Sequence, residues 1–376
     1  MSDTWIRNER NMDFNISLKF QPSQWFIGIL AELNEQNANW TDGSYDWAAQ
    51  TTDFLHNPVP LPVFDDAMFK TPLSKRAVND LLHVAIALMS GNYHLVRNYM
   101  QAIRFAFVIG YPRSGGSYLT KEMLRSIGLD HKRVSEALAH DGFPELRDIW
   151  YDANGGRQYF YLQDSIFQTA EFLVISNLYY QRKARRHPHG YWLSPKKMHK
   201  LINWGGSFKM LLGEGKADYF VTIRNPLPTA ISIYEKSGGL PEDRLFPVKA
   251  SRSAIERWIV TDLMMLGYAA GDIARMEYFD AVQISWSNFH ARMATSGLFL
   301  GDRKEIRLLP YGRDTLEDVV RECRAQNFNP DPPELLLIHD KAMEFPDWAA
   351  RSAIAVEAMA DVWRSLGLTF PELSMA

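Results

Sequence analysis

The run RFAFVIGY (104–111) breaks into Pro112-Arg113-Ser114-Gly115-Gly116 and then into SYLTKEMLRSIG (117–128), whose apolar positions recur at helical spacing. No other feature restricts the fold as tightly. A short, unbroken apolar run ended by Gly and Pro is the pattern of a strand buried on both faces, and such strands belong to parallel sheets. A parallel neighbour can be reached only through a crossover, usually a helix.

The rest of the chain repeats that alternation. YWL (191–193) precedes SPKKMHKLINW, DYFVTIR (218–224) runs into NPLPTAISIYEKSGG, and AVQISW (281–286) is the fourth strand candidate. A helix is expected to start near Leu227 or Pro228, and longer helical patterns cover 162–186 and 350–367. The expected fold class is α/β, a parallel β-sheet flanked by helices, occupying residues 101–376. Residues 1–100 read as a mostly helical or irregular N-terminal extension. Within it, Ser74 is the expected cap of a helix carrying Val78, Leu81, Leu82, Ala85, Ile86 and Met89 on one face.

Composition limits the partners. A formal net charge of −3 and a pI near 6.4 argue against a chain that coats nucleic acid. The single cysteine, Cys323, cannot form an intramolecular disulfide and fits a reducing compartment. The amino terminus is polar, and no stretch approaches the ~18 apolar residues of a transmembrane helix. The expectation is a cytoplasmic protein without a transmembrane segment.

A strand, a glycine-containing turn and a helix together present several backbone N–H groups and a helix N-terminus to an anion. Gly110 and Gly115 have the spacing of the Walker pattern G-x-x-x-x-G-K-[ST], yet position 116 is glycine where that pattern needs lysine. Arg113 is the only cation in the loop. Such a cradle suits a nucleotide with one 5′-phosphate better than a triphosphate; the bland reading is a mere connection between strand and helix. A second segment adds weight. Arg224 ends an apolar strand and Ser232 follows on the next helix, 232 − 224 = 8 residues later, where the two can grip another phosphate.

Together the segments resemble the sulfotransferase family that uses 3′-phosphoadenosine 5′-phosphosulfate (PAPS). Tyr111-Pro112-Arg113-Ser114-Gly115-Gly116-Ser117-Tyr118 is similar to that family's 5′-phosphosulfate loop, commonly Tyr-Pro-Lys-Ser-Gly-Thr-Thr-Trp, and Arg224-Asn225-Pro226 with Ser232 is similar to its 3′-phosphate site. The resemblance implies a P-loop NTPase-like sulfotransferase fold and PAPS as donor, with 3′,5′-bisphosphoadenosine (PAP) as product. It also implies no metal requirement and a small-molecule or glycan acceptor bearing a hydroxyl or amine. Arg113, Ser114, Gly115, Gly116, Ser117, Tyr118, Arg224 and Ser232 are then the nucleotide-binding set, and Arg113 stabilises the leaving phosphate. The ten histidines are scattered and suggest no metal cluster.

For the general base the resemblance offers Glu136, with His140 four residues on, and His199, near where some branches carry Lys-x-His. The sequence departs from the family at Leu193-Ser194-Pro195, where a lysine before Ser-Pro is absent and Lys196 or Lys197 would have to substitute. Two other readings stay open: a P-loop small-molecule kinase, and a non-catalytic sulfotransferase-like nucleotide-binding protein. RKARRHPH (182–189) reads either as cations at a helix C-terminus or as an attraction for an acidic acceptor.

Overall fold

The computed structural model describes residues 22–37, 71–141, 150–151, 157–158, 162–249, 251–326, 328 and 344–374. The expectations for residues 1–21 and 38–70 fall outside these. The order begins with α1 (Gln24–Asn37), α2 (Pro72–Met89), β1 (Ile103–Gly110), α3 (Gly116–Ser126) and α4 (Leu162–Lys183). It continues with β2 (Trp192–Lys197), α5 (Leu201–Leu212), β3 (Ala217–Ile223), α6 (Pro226–Lys236), α7 (Ala254–Met265) and α8 (Tyr278–Thr295). β4 (Ile306–Pro310), α9 (Arg313–Glu322) and α10 (Pro346–Ser365) complete it. A seven-residue helix (Tyr93–Tyr99), two one-turn helices and a two-residue antiparallel ribbon lie between them.

The four strands form one all-parallel sheet in the order β2-β1-β3-β4, flanked by helices. β1 is therefore paired on both sides and covered on both faces, which is why it is apolar from Phe105 on, with only Arg104 near its start charged and half-buried. Two pairs in the register matter below. Val108 lies beside Lys197 and Gly110 beside Thr222, so the carboxyl ends of β1, β2 and β3 open at one edge of the sheet. The chain leaves β1 for β2 on one side and returns to β3 on the other, and that reversal is where ligands of open α/β sheets bind. α1 and α2 pack on α4, and their apolar faces join the same core as the sheet. No helix among the described residues is long and apolar enough to cross a membrane.

Three local expectations are corrected. AVQISW is helical, part of α8, where Tyr278, Val282, Ser285, Trp286, Phe289 and Met293 are buried at helical spacing. The fourth strand is instead Ile306–Pro310, a half-buried edge strand too short to announce itself. The second strand does not stop at Leu193 but runs on through Pro195 to Lys197. As an edge strand paired only with β1, it tolerates the missing proline N–H. Thr71, not Ser74, caps α2: its Oγ1 accepts from Ser74 N at 3.1 Å, with Pro72 in the first turn. Ser74 is buried, and its Oγ accepts from Asn34 Nδ2 at 2.9 Å, tying α1 to α2.

Candidate functional site: a phosphate-type loop and a buried aspartate

The loop after β1 turns sharply. Arg113 sits at φ 70° and Gly115 at φ 92°, both in the left-handed region. Glycine adopts that region freely, whereas for arginine it is uncommon and strained. The buried Ser114 hydroxyl donates to Tyr111 O at 2.7 Å and meets Thr222 Oγ1 at 2.8 Å, pinning the loop to β3. A Cβ at Gly110 would fall 2.1 Å from Thr222 Oγ1 and 2.8 Å from the Thr222 carbonyl, so this close approach requires glycine. Gly115 supplies no side-chain cap to α3, leaving the first-turn N–H groups for solvent or an anion.

Gly116 differs. A Cβ there would meet Val108, Lys197 Cε and Thr222 at 3.4–3.6 Å, ordinary van der Waals contact. The absent Walker lysine is therefore not a steric necessity. A lysine does reach this place, but from the neighbouring strand: it is Lys197.

The second segment docks onto the first. Arg224, buried just past β3, donates from Nη1 to the Arg113 carbonyl at 3.2 Å and lies 4.2 Å over the Tyr311 ring. Its Nε is buried without a hydrogen-bond partner, and burial pushes its pKa down, with Arg113 adding to the effect. Trp286 Nε1 donates to the Arg224 carbonyl at 2.9 Å, fixing the backbone from the α8 side. Asn225 caps α6 through Oδ1, which accepts from Leu227 N at 3.0 Å. α6 then carries Ser232, whose Oγ receives Arg113 Nε at 2.9 Å. The charge of Arg113, with burial and the charges of Lys121 and Lys197, pushes Lys236 at the end of α6 below its usual range. Five basic residues, Arg113, Lys121, Lys197, Arg224 and Lys236, thus gather at one edge of the sheet.

Beyond the loop lies a polar cluster. Ser117 Oγ is 3.2 Å from His140 Nε2, while Tyr118 is half-buried beside it in the first turn. Asp141 Oδ2 accepts from Lys197 Nζ at 2.8 Å, and its Oδ1 lies 2.6 Å from His199 Nδ1 and accepts from His199 N at 2.8 Å. Burial opposes ionisation of Asp141, but the charges and hydrogen bonds of His199 and Lys197 outweigh it and hold the carboxyl well below its ordinary range. The His199 ring stands edge-on to Trp258 at 5.9 Å. Glu136 opens the one-turn helix Glu136–Ala139 and is exposed, in contrast to His199.

Lys196 points the other way. Its Nζ is enclosed and donates to the carbonyls of Ala137 and His140, each at 2.8 Å. Burial lowers its pKa to about 7. Of the two lysines weighed from the sequence, Lys197 reaches the loop and Lys196 holds the 137–140 turn.

The loop residues, Arg224, Ser232 and His199 are therefore brought to one sheet edge, with Glu136 at its margin. Sequence reasoning overlooked Asp141, Thr222 and Tyr311. The lysine absent before Ser194-Pro195 has a counterpart in Lys197-Met198-His199, which carries the Lys-x-His spacing itself. In 182–189 the basic side chains serve internal contacts: Lys183 pairs with Glu32, Arg185 stacks on Phe328 and Arg186 on Trp192. Among the described residues no group of histidine, cysteine and carboxylate side chains could hold a metal ion. No family model, no curated protein and no solved structure matches this chain.

Proposed function

We propose that the chain is a sulfotransferase moving the sulfuryl group from PAPS to a hydroxyl or amine acceptor, within a P-loop-like sulfotransferase fold. One observation carries the reading. The two segments suited to phosphate are bonded to each other, Arg224 to the Arg113 carbonyl and Arg113 to Ser232, so two anion sites adjoin at one sheet edge. A nucleotide with separate 5′ and 3′ anionic groups matches that pairing, and a linear triphosphate does not.

In this reading the amides of Gly115, Gly116, Ser117 and Tyr118, with Ser114 bracing the turn, receive the 5′-phosphosulfate, and Arg224 and Ser232 receive the 3′-phosphate. His199 is the base we favour, because it is paired with a buried carboxylate and stands beside Lys197. His199 accepts the acceptor proton on Nε2, the acceptor oxygen or nitrogen forms its bond to sulfur, and the sulfur–oxygen bond to the phosphate breaks. The electron pair departs with PAP, whose growing charge Arg113 and Lys197 balance. None of these roles calls for a metal ion.

The test is transfer of label from 35S-PAPS to a panel of phenols, sterols, fatty alcohols and glycans. The expected result is a labelled product without added Mg²⁺, lowered about 10²–10³-fold by Arg113→Ala and largely restored by Arg113→Lys. A kinase reading has one observation in its favour: Lys197 Cε lies beside Gly116, the residue that stands where the Walker pattern has lysine. Transfer of phosphate from ATP, with none of sulfate from PAPS, would establish that alternative.

A further inference from the structure

Three donors converge on Asp141, and they come from both sides of its carboxylate. Oδ1 takes the backbone N–H of His199 at 2.8 Å and faces His199 Nδ1 at 2.6 Å, while Oδ2 takes Lys197 Nζ at 2.8 Å. His140 Nδ1 stands further off, 3.6 Å from Oδ2. An ionised carboxylate can only accept hydrogen bonds, so the ring nitrogen at 2.6 Å must carry the proton.

We infer that Asp141 is a positioning residue: it holds His199 as the Nδ1–H tautomer, leaving Nε2 with the lone pair, and fixes the Lys197 ammonium beside Gly116. Its value for transfer rests on the sulfotransferase reading, whereas the tautomer does not. The arrangement does more than a single ion pair needs. One carboxylate orients a base and a cation that lie two residues apart at the end of β2, each through its own oxygen.

The backbone explains how Asp141 stays in place. Lys196 and Lys197 are consecutive in β2 and point to opposite sides, as strand geometry requires. Lys196 grips the carbonyls of Ala137 and His140 from inside, and Lys197 grips the Asp141 side chain from the loop side. Both ends of the short 137–141 segment are thus tied to one strand. The ring plane of His199 is fixed separately, by its edge-on contact with Trp258.

The experiment uses Asp141→Asn in the full chain. An amide of the same shape has one acceptor and one donor face, so it cannot accept from both His199 and Lys197. Nitrogen-15 NMR of the imidazoles, with His199 assigned by loss of its signals in His199→Gln, reads the tautomer directly. The wild-type protein is expected to show Nδ1–H, and Asp141→Asn a shift towards Nε2–H. Turnover should fall about 10²–10⁴-fold, the range for a disabled general base, with the acceptor KM little changed. A wild-type Nε2–H tautomer would overturn the inference without reference to any variant. So would an Asn variant that keeps both the Nδ1–H signal and full turnover. Failure of wild-type protein to bind PAP would instead remove the sulfotransferase reading, and the NMR result would still decide the role of Asp141.

Discussion

Arg113 Nε lies 2.9 Å from Ser232 Oγ although the two residues are 119 positions apart in the chain. The loop after β1 and the helix after β3 are thereby joined through side chains. Ser232 is half-buried, and this is the hydrogen bond its hydroxyl makes among the described residues.

Ser232→Ala therefore offers a clean probe of the proposed 3′-phosphate site. Loss of one such hydrogen bond costs about 0.5–1.5 kcal/mol, so PAP affinity should fall roughly 3- to 10-fold. Adenosine 5′-phosphate, which lacks the 3′ group, should bind the variant as it binds the wild type. Titration calorimetry with both nucleotides decides the matter, and equal losses would move Ser232 away from the 3′-phosphate.

Neighbouring glycines in the loop should respond in opposite ways. At Gly115, φ is 92° and an added Cβ would stand 2.9 Å from the Tyr311 ring. Gly115→Ala is expected to destabilise the protein by ~1–3 kcal/mol through crowding and backbone strain. Gly116→Ala meets only contacts of 3.4 Å or more and should change stability by less than ~1 kcal/mol. Urea unfolding of both variants measures the contrast; similar losses would show that the turn is not built as described.

His290 makes stability sensitive to acid. It is fully buried, its Nδ1 is 2.8 Å from the Trp286 carbonyl, and its Nε2 has no hydrogen-bond partner. Burial pushes its pKa from 6.5 down to about 4. Between those values the unfolded chain binds a proton that the folded chain refuses, so stability falls as pH drops through that window. The loss should approach about 3 kcal/mol by its lower end. His290→Phe, among aromatic neighbours Tyr111, Trp286 and Phe370, should remove this slope. Unfolding curves of both proteins at pH 7, 6, 5 and 4 test it, and parallel pH profiles would contradict it.

Much of this was legible from residue patterns, for reasons that are local. β1 and β3 are short and mostly apolar, and the glycine turn and the Asn225-Pro226 cap follow them directly, so both strand-to-helix turns are legible without knowing the fold. β4 is hidden because half-exposed edge strands carry no strong pattern, and α8 resembles a strand over 281–286 because those six residues imitate one. The Asp141 cluster was illegible for a different reason. Lys197 and His199 are close in sequence, but Asp141 reaches them from a turn more than fifty residues earlier through side-chain contacts, which no spacing in the sequence encodes.

In the proposed function the loop and Arg224 together bind a nucleotide with separate 5′ and 3′ anionic groups rather than a triphosphate. Calorimetry of the wild-type protein with PAP and with ATP, each with and without Mg²⁺, tests it most directly. Tight PAP binding that Mg²⁺ leaves unchanged is expected, with ATP bound far more weakly. Tight, Mg²⁺-dependent ATP binding with weak PAP binding would contradict it.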